Sequence, residues 1–259
     1  MKILITNDDG VQAEGINVLF KELNRYHDCL VVAPDREQSA TSHSLTLTRP
    51  LRMHQFAPNF LSCDGTPTDS VLLAMLKVLH HKKPDMVIAG INHGPNMGED
   101  IMYSGTVAAA IEGSLLGVPS IATSMVDCEN ADFKAAARFI RRFLKIYPEL
   151  GLKPSTILNM NFPGKATDRF ARHRFTSLGS REYDDVIIEN TDPRGQDYYW
   201  IAGSPVWKNV KGSDIYAVRS GEVSITPMHL HFTDDQALRS LIAGKHRLPG
   251  RRAKTPLDK

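Results

Sequence analysis

The chain has 259 residues, of which 42% are hydrophobic and 23% are charged, and its formal net charge is +2. This length is enough for a large core, built as one domain or as a domain with an appendage. The near-neutral charge gives no general argument for a nucleic-acid polymer or a membrane as partner, and no apolar run approaches the roughly 18 residues of a membrane span.

The cysteines and the N-terminus predict a cytoplasmic protein. The cysteines, Cys29, Cys63 and Cys128, are far apart and outside a C-x-x-C spacing. They therefore indicate neither a disulfide framework nor a zinc site, and unpaired thiols suit a reducing compartment. The chain also begins directly with a strand pattern instead of the basic and apolar segments of a secretory signal.

The first predicted strand ends in two adjacent carboxylates. Residues 2–6 are apolar and β-branched, which predicts a buried strand. Asp8 and Asp9 follow directly, and neighbouring carboxylates at this position must be solvated, hydrogen-bonded or neutralised by a cation. In an open α/β sheet, ligands bind beyond the carboxyl ends of the strands. An acidic turn or a helix cap is the alternative interpretation.

Strand and helix patterns alternate after this loop. Apolar residues at i, i+3, i+4 and i+7 from Ile16 predict a helix, and the apolar run 29–33 predicts the next strand. This order indicates a parallel sheet with a right-handed crossover. Residues 36–43 are predicted to form a loop at the same sheet edge, and residues 44–56 a hairpin excursion.

Further patterns place the later elements. Thr66 is a predicted N-cap, with Pro67 at the first helical position. Strands are predicted at 85–90, 118–124 and 156–161, and helices at 104–117 and 133–144. After Pro163 helical periodicity disappears, and short β runs with turns lead to a short helix at 234–243.

These patterns together predict an α/β fold. Residues 1–163 are expected to form a Rossmann-like core, with a mostly parallel sheet, helices on both faces and the metal site described next. Residues 164–259 are expected to form a β-rich extension used in oligomerisation, within a single domain.

Three loops at one edge of the predicted sheet carry hard oxygen ligands. They are Asn7-Asp8-Asp9-Gly10, Gln38-Ser39-Ala40-Thr41 and Asn92-His-Gly-Pro-Asn96. Carboxylate, hydroxyl and amide oxygens suit Mg²⁺, Mn²⁺ or Ca²⁺ better than structural zinc. A metal held by few protein ligands keeps positions open for water and a phosphate oxygen. The next predicted helix begins at Ser104-Gly105-Thr106, where free N–H groups and hydroxyls form an anion site.

Two other enzyme classes fit this pattern less well. A nucleotide-dependent dehydrogenase is disfavoured because Gly10-Val-Gln-Ala-Glu-Gly15 is not the glycine-rich dinucleotide motif, and the aspartates would repel a pyrophosphate unless a metal intervened. A phosphoaspartate enzyme, with Asp8 as the nucleophile, is closer in chemistry. The adjacent aspartates are not the usual spacing for that mechanism.

Several different short motifs are spread along most of the chain. They are Ile5-Thr-Asn-Asp-Asp-Gly10, Ala33-Pro-Asp35 with Gln38-Ser39, Gly65-Thr-Pro-Thr-Asp69, Gly90-Ile-Asn-His-Gly-Pro-Asn-Met-Gly98, Tyr103-Ser-Gly-Thr-Val107, Asp192-Pro-Arg-Gly195, Gly212-Ser-Asp214 and Val223-Ser-Ile-Thr-Pro227. Together they resemble the survival protein SurE family. The resemblance implies a metal-dependent phosphatase of nucleoside monophosphates with a Rossmann-like core, and a C-terminal β segment that exchanges between subunits.

The resemblance also implies specific site residues. Asp8, Asp9, Ser39 and Asn92 fall on the family's metal ligands, with one divalent ion per subunit: Mg²⁺ or Mn²⁺, or Ca²⁺ in crystals. Asp8 and Asp9 are the catalytic residues of this hypothesis, because they anchor the metal and one of them steers the attacking water. The predicted phosphate ligands are Asn96, Ser104, Gly105 and Thr106.

The predicted function is therefore a cytoplasmic 5′-nucleotidase that releases phosphate from nucleoside monophosphates, with 3′-nucleotides and polyphosphate as further candidate substrates. A non-catalytic, metal-dependent nucleotide sensor built on the same site is the alternative. The predicted assembly is a homodimer or homotetramer in which residues from about 212 to 243 cross to a neighbouring subunit. Neither a nucleic-acid polymer nor a membrane is an expected partner. His93 is a candidate proton donor to the leaving oxygen, although an outer supporting role is the favoured interpretation.

Overall fold

The computed structural model describes residues 1–164, 170, 172–183, 186–203 and 205–244. The chain divides into two units, Met1–His229 and Leu230–Lys259. In the described part of the second unit, Asp234 caps a helix, α6 (Asp235–Ala243), whose side chains are all exposed. No helix in the described ranges is long and apolar enough to cross a membrane.

The first unit contains all the strands and the other five α-helices of the described residues. The strands are β1 (Lys2–Thr6), β2 (Asp28–Pro34), β3 (Met53–Ala57), β4 (Phe60–Cys63), β5 (Met86–His93), β6 (Ser120–Met125), β7 (Ile157–Phe162), β8 (His173–Phe175), β9 (Arg181–Tyr183), β10 (Val186–Thr191), β11 (Asp197–Ala202), β12 (Pro205–Trp207) and β13 (Val223–Met228). The helices are α1 (Glu14–Leu23), α2 (Pro67–Leu73), α3 (Gly105–Leu115), α4 (Phe133–Ile146) and α5 (Asp214–Arg219).

The central sheet has nine strands in the order β3-β4-β2-β1-β5-β6-β7-β13-β8. The six strands from β4 to β7 in this order are parallel, whereas β3 and β13 run antiparallel to β4 and β7. The chain leaves β1 through β2 towards one edge and returns at β5 on the other side of β1. The crevice beyond the carboxyl ends of β1 and β5 is therefore the topological switch point, where ligands bind in open α/β sheets.

The central strands of the sheet are buried on both faces, as the predicted fold class requires. Ile3 and Ile5 pack in one core cluster with α1 and α4, and the intervening Leu4, also fully buried, points to the opposite face. Helices α2 and α3 pack against each other and against the sheet strands β2 and β5. The predicted α/β fold with helices on both faces is confirmed.

The start of α2 confirms the predicted cap. The Thr66 hydroxyl accepts a hydrogen bond from Asp69 N at 3.1 Å, and the Asp69 carboxylate accepts one from Thr66 N at 2.9 Å. This reciprocal capping box satisfies two N–H groups that the first helical turn leaves free. Asp69 also accepts a hydrogen bond from Thr46 N at 3.0 Å, which ties the segment before β3 to this helix.

The predicted bounds of the hairpin were wrong. The hairpin is formed by β3 and β4, between residues 53 and 63, and β4 then pairs with β2. The leucines that suggested an earlier strand do not line a buried face, since Leu47 is 85% exposed and Leu45 is 46% exposed. Their alternation in the sequence therefore carried no burial signal.

The chain after Pro163 is less separate from the core than the sequence suggested. β13 pairs with β7, and β8 pairs with β13, so both extend the central sheet. Helix α5 was missed, because the sequence indicated only a turn at 212–214. Ser213 caps this six-residue helix, which is too short to show a helical period. The pairs β10–β11 and β9–β12 form two separate ribbons.

Candidate active site

The three loops predicted to carry oxygen ligands meet at the switch point. Gln38 N donates a hydrogen bond to the Asp8 carbonyl oxygen at 2.7 Å, which joins the loop after β2 to the loop after β1. His93 N donates to Asp9 Oδ2 at 3.2 Å, which joins the end of β5 to the same loop. The parallel sheet thus brings together side chains from distant parts of the sequence.

The first turn of α3 fixes the Asp8 carboxylate. Thr106 N donates to Asp8 Oδ2 at 3.0 Å, and the Thr106 hydroxyl contacts Asp8 Oδ1. A Cβ at Gly105 would lie 2.9 Å from Asp8 Cβ, so this close approach requires glycine. Burial raises the pKa of Asp8 above its usual value, and the hydrogen bonds from Thr106 oppose that shift. Asp8 is therefore held rigidly by a helix that begins 97 residues later.

Asp9 lies where burial and neighbouring negative charge both disfavour its ionised form. Burial raises its pKa to about 6, the charge of Asp8 adds to the shift, and His93 acts in the opposite direction. Glu37, which the sequence interpretation passed over, also raises the pKa of both aspartates. A divalent cation would reverse these shifts, because it favours the ionised forms.

Asn92 and Ser39 each donate one hydrogen bond within the site and keep an oxygen available to a cation. Asn92 is half-buried, and its Nδ2 donates to the Gly94 carbonyl oxygen at 3.0 Å, which leaves its Oδ1 as an acceptor. Ser39 is exposed, and its hydroxyl donates to Glu37 Oε1 at 2.6 Å. Asn92 thus presents its amide oxygen, and Ser39 presents the lone pairs of a hydroxyl oxygen whose proton is held by Glu37.

The donor set fits a hard divalent cation. Asp8 and Asp9 supply carboxylates, and Asn92 and Ser39 supply neutral oxygens. No group of three or more His, Cys, Asp or Glu side chains that could hold a metal occurs in the described ranges. A metal at the switch point would therefore depend on neutral oxygens besides the two aspartates, which is usual for Mg²⁺ and Mn²⁺.

The predicted phosphate ligands already have partners within the protein. Ser104 Oγ accepts a hydrogen bond from Val107 N at 3.0 Å and so caps α3. Thr106 contacts Asp8, as described above, and Asn96 Nδ2 donates to Ser124 Oγ at 2.8 Å. A phosphate contact through these side chains stays a prediction, and it would require these bonds to be shared or exchanged.

Comparison with known proteins identifies the family. A family model described as Survival protein SurE matches residues 3–185. This chain belongs to the SurE family. A protein named 5′-nucleotidase SurE from Geobacter metallireducens is 46% identical over 243 residues, which covers 93% of this chain and 96% of the relative. One of the same name from Myxococcus xanthus is 45% identical over 242 residues, covering 93% and 92%.

A solved structure supports the same assignment. The crystal structure of the SurE protein from Aquifex aeolicus has 41% sequence identity and a TM-score of 0.84, and the match covers 94% of this chain and 99% of that one. The predicted family and fold are both confirmed.

Beneath the site, this SurE-family chain has a buried network that the sequence interpretation missed. Asn161 on β7 holds the backbone of Asn96 twice: its Oδ1 accepts from Asn96 N at 2.9 Å, and its Nδ2 donates to Asn96 O at 2.9 Å. Asn159 Nδ2 donates to the same carbonyl oxygen at 2.8 Å. Two asparagines at alternate positions of an apolar strand were the available signal, because buried amides need partners.

His93 lies at the rim of the site. Its side chain is exposed, and its ring stacks on Phe133 with the ring centroids 4.9 Å apart. Its backbone N–H, described above, holds Asp9. His93 therefore supports Asp9 through its backbone N–H, while its ring packs on Phe133 at the rim.

Proposed function

We propose that this chain is a divalent-metal-dependent phosphomonoesterase that hydrolyses nucleoside monophosphates to nucleoside and phosphate. The observation that carries the proposal is the pair Asp8 and Asp9 at the switch point, whose carboxyl pKa values are both raised. The curated relatives bear the name 5′-nucleotidase SurE, which favours a catalytic site over a nucleotide sensor.

Four residues would hold the ion, Mg²⁺ or Mn²⁺: Asp8, Asp9, Asn92 and Ser39. When bound, such an ion polarises the phosphate and lowers the pKa of a coordinated water. Thr106 keeps Asp8 in one orientation, and His93 N holds Asp9 Oδ2. The other oxygen, Asp9 Oδ1, is then available to accept a hydrogen bond from the attacking water and orient it towards the phosphorus.

The first turn of α3 is the proposed place for the phosphate group. A helix N-terminus favours an anion through its free N–H groups and its dipole. Gly105 allows the chain to pass close to Asp8, and Asn96 is held in place by the buried asparagines. These contacts support Asn96, Ser104, Gly105 and Thr106 as the phosphate-binding region.

The test is phosphate release from adenosine 5′-monophosphate by full-length protein, first stripped with EDTA and then supplied with Mn²⁺ or Mg²⁺. The oxygen-rich donor set leads us to expect no turnover after chelation and recovery with either metal. Asp9→Asn should stay inactive at saturating metal, and Asp28→Asn, a matched change of an exposed aspartate, should not alter turnover. Metal-dependent binding without phosphate release would support the sensor instead.

The thiols support a cytoplasmic location for this activity. Cys29 and Cys63 are buried, Cys128 is exposed, and all three are free. Free thiols persist in a reducing compartment.

We also propose that the protein forms a homodimer or a dimer of dimers. The β10–β11 ribbon exposes several apolar and aromatic side chains, among them Trp200 (63% exposed) and Ile201 (86% exposed). A second copy would cover such a patch. In the segment 212–243 predicted to cross between subunits, α5 and β13 pack within the first unit. The proposed crossing part is therefore narrowed to residues 230–244.

A further inference from the structure

A basic cleft lies between α1 and α4, outside the proposed active site. It has a volume of about 320 Å³ and is lined by Val18, Lys21, Glu22, Arg25, Lys134 and Arg138. None of these six residues belongs to the proposed metal or phosphate ligands. The cleft therefore calls for an explanation of its own.

Four of the six lining residues are cationic, and the single carboxylate is already engaged. Glu22 Oε1 accepts a hydrogen bond from Arg141 Nε at 2.7 Å, and Glu22 Oε2 lies 3.9 Å from Arg25. The Arg141 guanidinium is further fixed over the Tyr26 ring, 4.7 Å from its centroid. Glu22 is thus neutralised mainly by a residue outside the cleft.

The other cations lack such compensation. Within the described part of the chain, no carboxylate oxygen lies within 4.0 Å of the charged groups of Lys21, Lys134 or Arg138. Lys134 is also placed in the first turn of α4, where the helix dipole disfavours a cation. Like charges gathered around one concavity repel each other, and a shared anion relieves that repulsion.

Most of the cleft residues lie on α1 and α4, two helices that pack against each other. On α1, residues 18, 21 and 22 follow the i, i+3 and i+4 spacing of one helix face, and residues 134 and 138 share a face of α4. Arg25 lies in the turn that follows α1. Phe133 and Ile140 anchor α4 in the core. Five of the six lining residues therefore stand on two helices that pack against each other.

We propose that this cleft binds an oligophosphate, a chain of linked phosphates carrying at least three negative charges. Arginine pairs with phosphate oxygens through two parallel N–H groups, and lysine adds a mobile point charge. Val18 is the only apolar residue among the described residues of the lining, so these residues offer little to a hydrophobic ligand. Its volume lies at the lower end of ligand pockets, which suits a short phosphate chain. Inorganic polyphosphate and the phosphate chain of a nucleotide share this chemistry.

The test is calorimetric titration of inorganic tripolyphosphate into full-length Asp9→Asn protein in EDTA at low salt, conditions that disable the proposed metal site. We expect saturable binding of one tripolyphosphate per chain, weakened at least about tenfold by the double variant Lys134→Gln/Arg138→Gln. The double variant Lys145→Gln/Lys153→Gln removes the same charge from exposed positions outside the cleft and should bind as before. Because Lys134 opposes the helix dipole, its replacement should not lower the melting temperature.

Titrations with other anions identify the ligand, and a turnover assay distinguishes this proposal from the proposed phosphatase activity. A nucleoside triphosphate should bind within about tenfold of tripolyphosphate, and binding of the nucleotide alone would refute the phosphate chain as the ligand. Equal affinity for sulfate, or equal loss of binding in the two double variants, would show only a diffuse positive surface and overturn the proposal. With Asp9 intact and Mn²⁺ present, Lys134→Gln/Arg138→Gln should hydrolyse a nucleoside monophosphate at the wild-type rate. A failed tripolyphosphate titration would therefore leave the phosphatase proposal untouched.

Discussion

Replacing Asn161 by leucine should destabilise the protein and impair the active-site loop, whereas replacing Asn159 should do little. In Asn161→Leu, Asn96 N loses its only acceptor, while Asn96 O keeps the bond from Asn159. One buried N–H without a partner costs about 1–3 kcal/mol. In Asn159→Leu, Asn96 O keeps its bond from Asn161, and the substitution also removes Asn159 Oδ1, a buried oxygen with no partner.

The two variants therefore form a matched pair with different expected magnitudes. We expect Asn161→Leu to lower the free energy of unfolding by about 2 kcal/mol, which for a chain of this size lowers the melting temperature by roughly 4–8 °C. We expect Asn159→Leu to cost less than about 1 kcal/mol. Since Asn161 holds the loop that carries Asn92 and Asn96, Asn161→Leu should also raise the Mn²⁺ concentration needed for half-maximal turnover.

Thermal and denaturant unfolding in EDTA, followed by Mn²⁺ titration of phosphate release, measure both effects. Equal losses of stability in the two variants would refute the reasoning, because it rests on the number of partners that each leaves to Asn96. An unchanged Mn²⁺ response in a destabilised Asn161→Leu would confine the role of Asn161 to folding.

Three other expectations concern the aspartates and the assembly. In EDTA, Asp9→Asn should have a higher melting temperature than wild type above pH 6 and the same melting temperature near pH 3. The pKa of Asp9 is raised from 3.8 to about 6 in the folded state, so the wild type loses stability as pH rises through that interval. Thermal melts across this pH range test the expectation, and a higher melting temperature for the wild type at pH 7 would contradict it. Thr106→Val should weaken Mn²⁺ binding about 10–100-fold while the fold persists, since it removes the hydroxyl that orients Asp8. A Mn²⁺ titration measures the affinity, and the circular dichroism spectrum shows whether the fold is kept. Sedimentation of the wild type should show a dimer or tetramer that is lost on truncation after His229, and a fully active single species of 28.8 kDa would exclude this assembly.

The sequence predicted the central strands well, because their signal is local. The five predicted strands β1, β2, β5, β6 and β7 are largely buried on both faces, and their sequences are therefore apolar runs. The parallel strand β4 was not predicted. Helix α5 was missed because its six residues cannot display a period of 3.6. The hairpin was misplaced because the leucines before β3 alternate in sequence without sharing a buried face.

Which loops meet was also predictable, because parallel strands deliver their carboxyl ends to one edge. How each side chain is held was not. The contact between Asp8 and Thr106 spans 98 residues, and that between Asn96 and Asn161 spans 65. Neither pair has a spacing that periodicity can detect, and hydroxyl and amide side chains occur in many roles. Their partners depend on where α3 and β7 pack, which is a property of the assembled sheet.

Glycines around the switch point keep the packing of a Rossmann-like fold, although the dinucleotide-binding motif is absent from this chain. The dinucleotide motif fails after β1, yet Gly15 still serves helix–strand packing, because a Cβ there would overlap the Ile91 carbonyl oxygen. The loop between Gly10 and Gly15 does not have to bind a pyrophosphate, and Asp8 and Asp9 directly precede it. Gly105 then lets α3 approach Asp8, so Thr106 in the first turn of this helix orients a carboxylate beside the proposed phosphate region. The crevice thereby combines a helix N-terminus, which favours an anion, with two carboxylates, whose repulsion a cation would relieve.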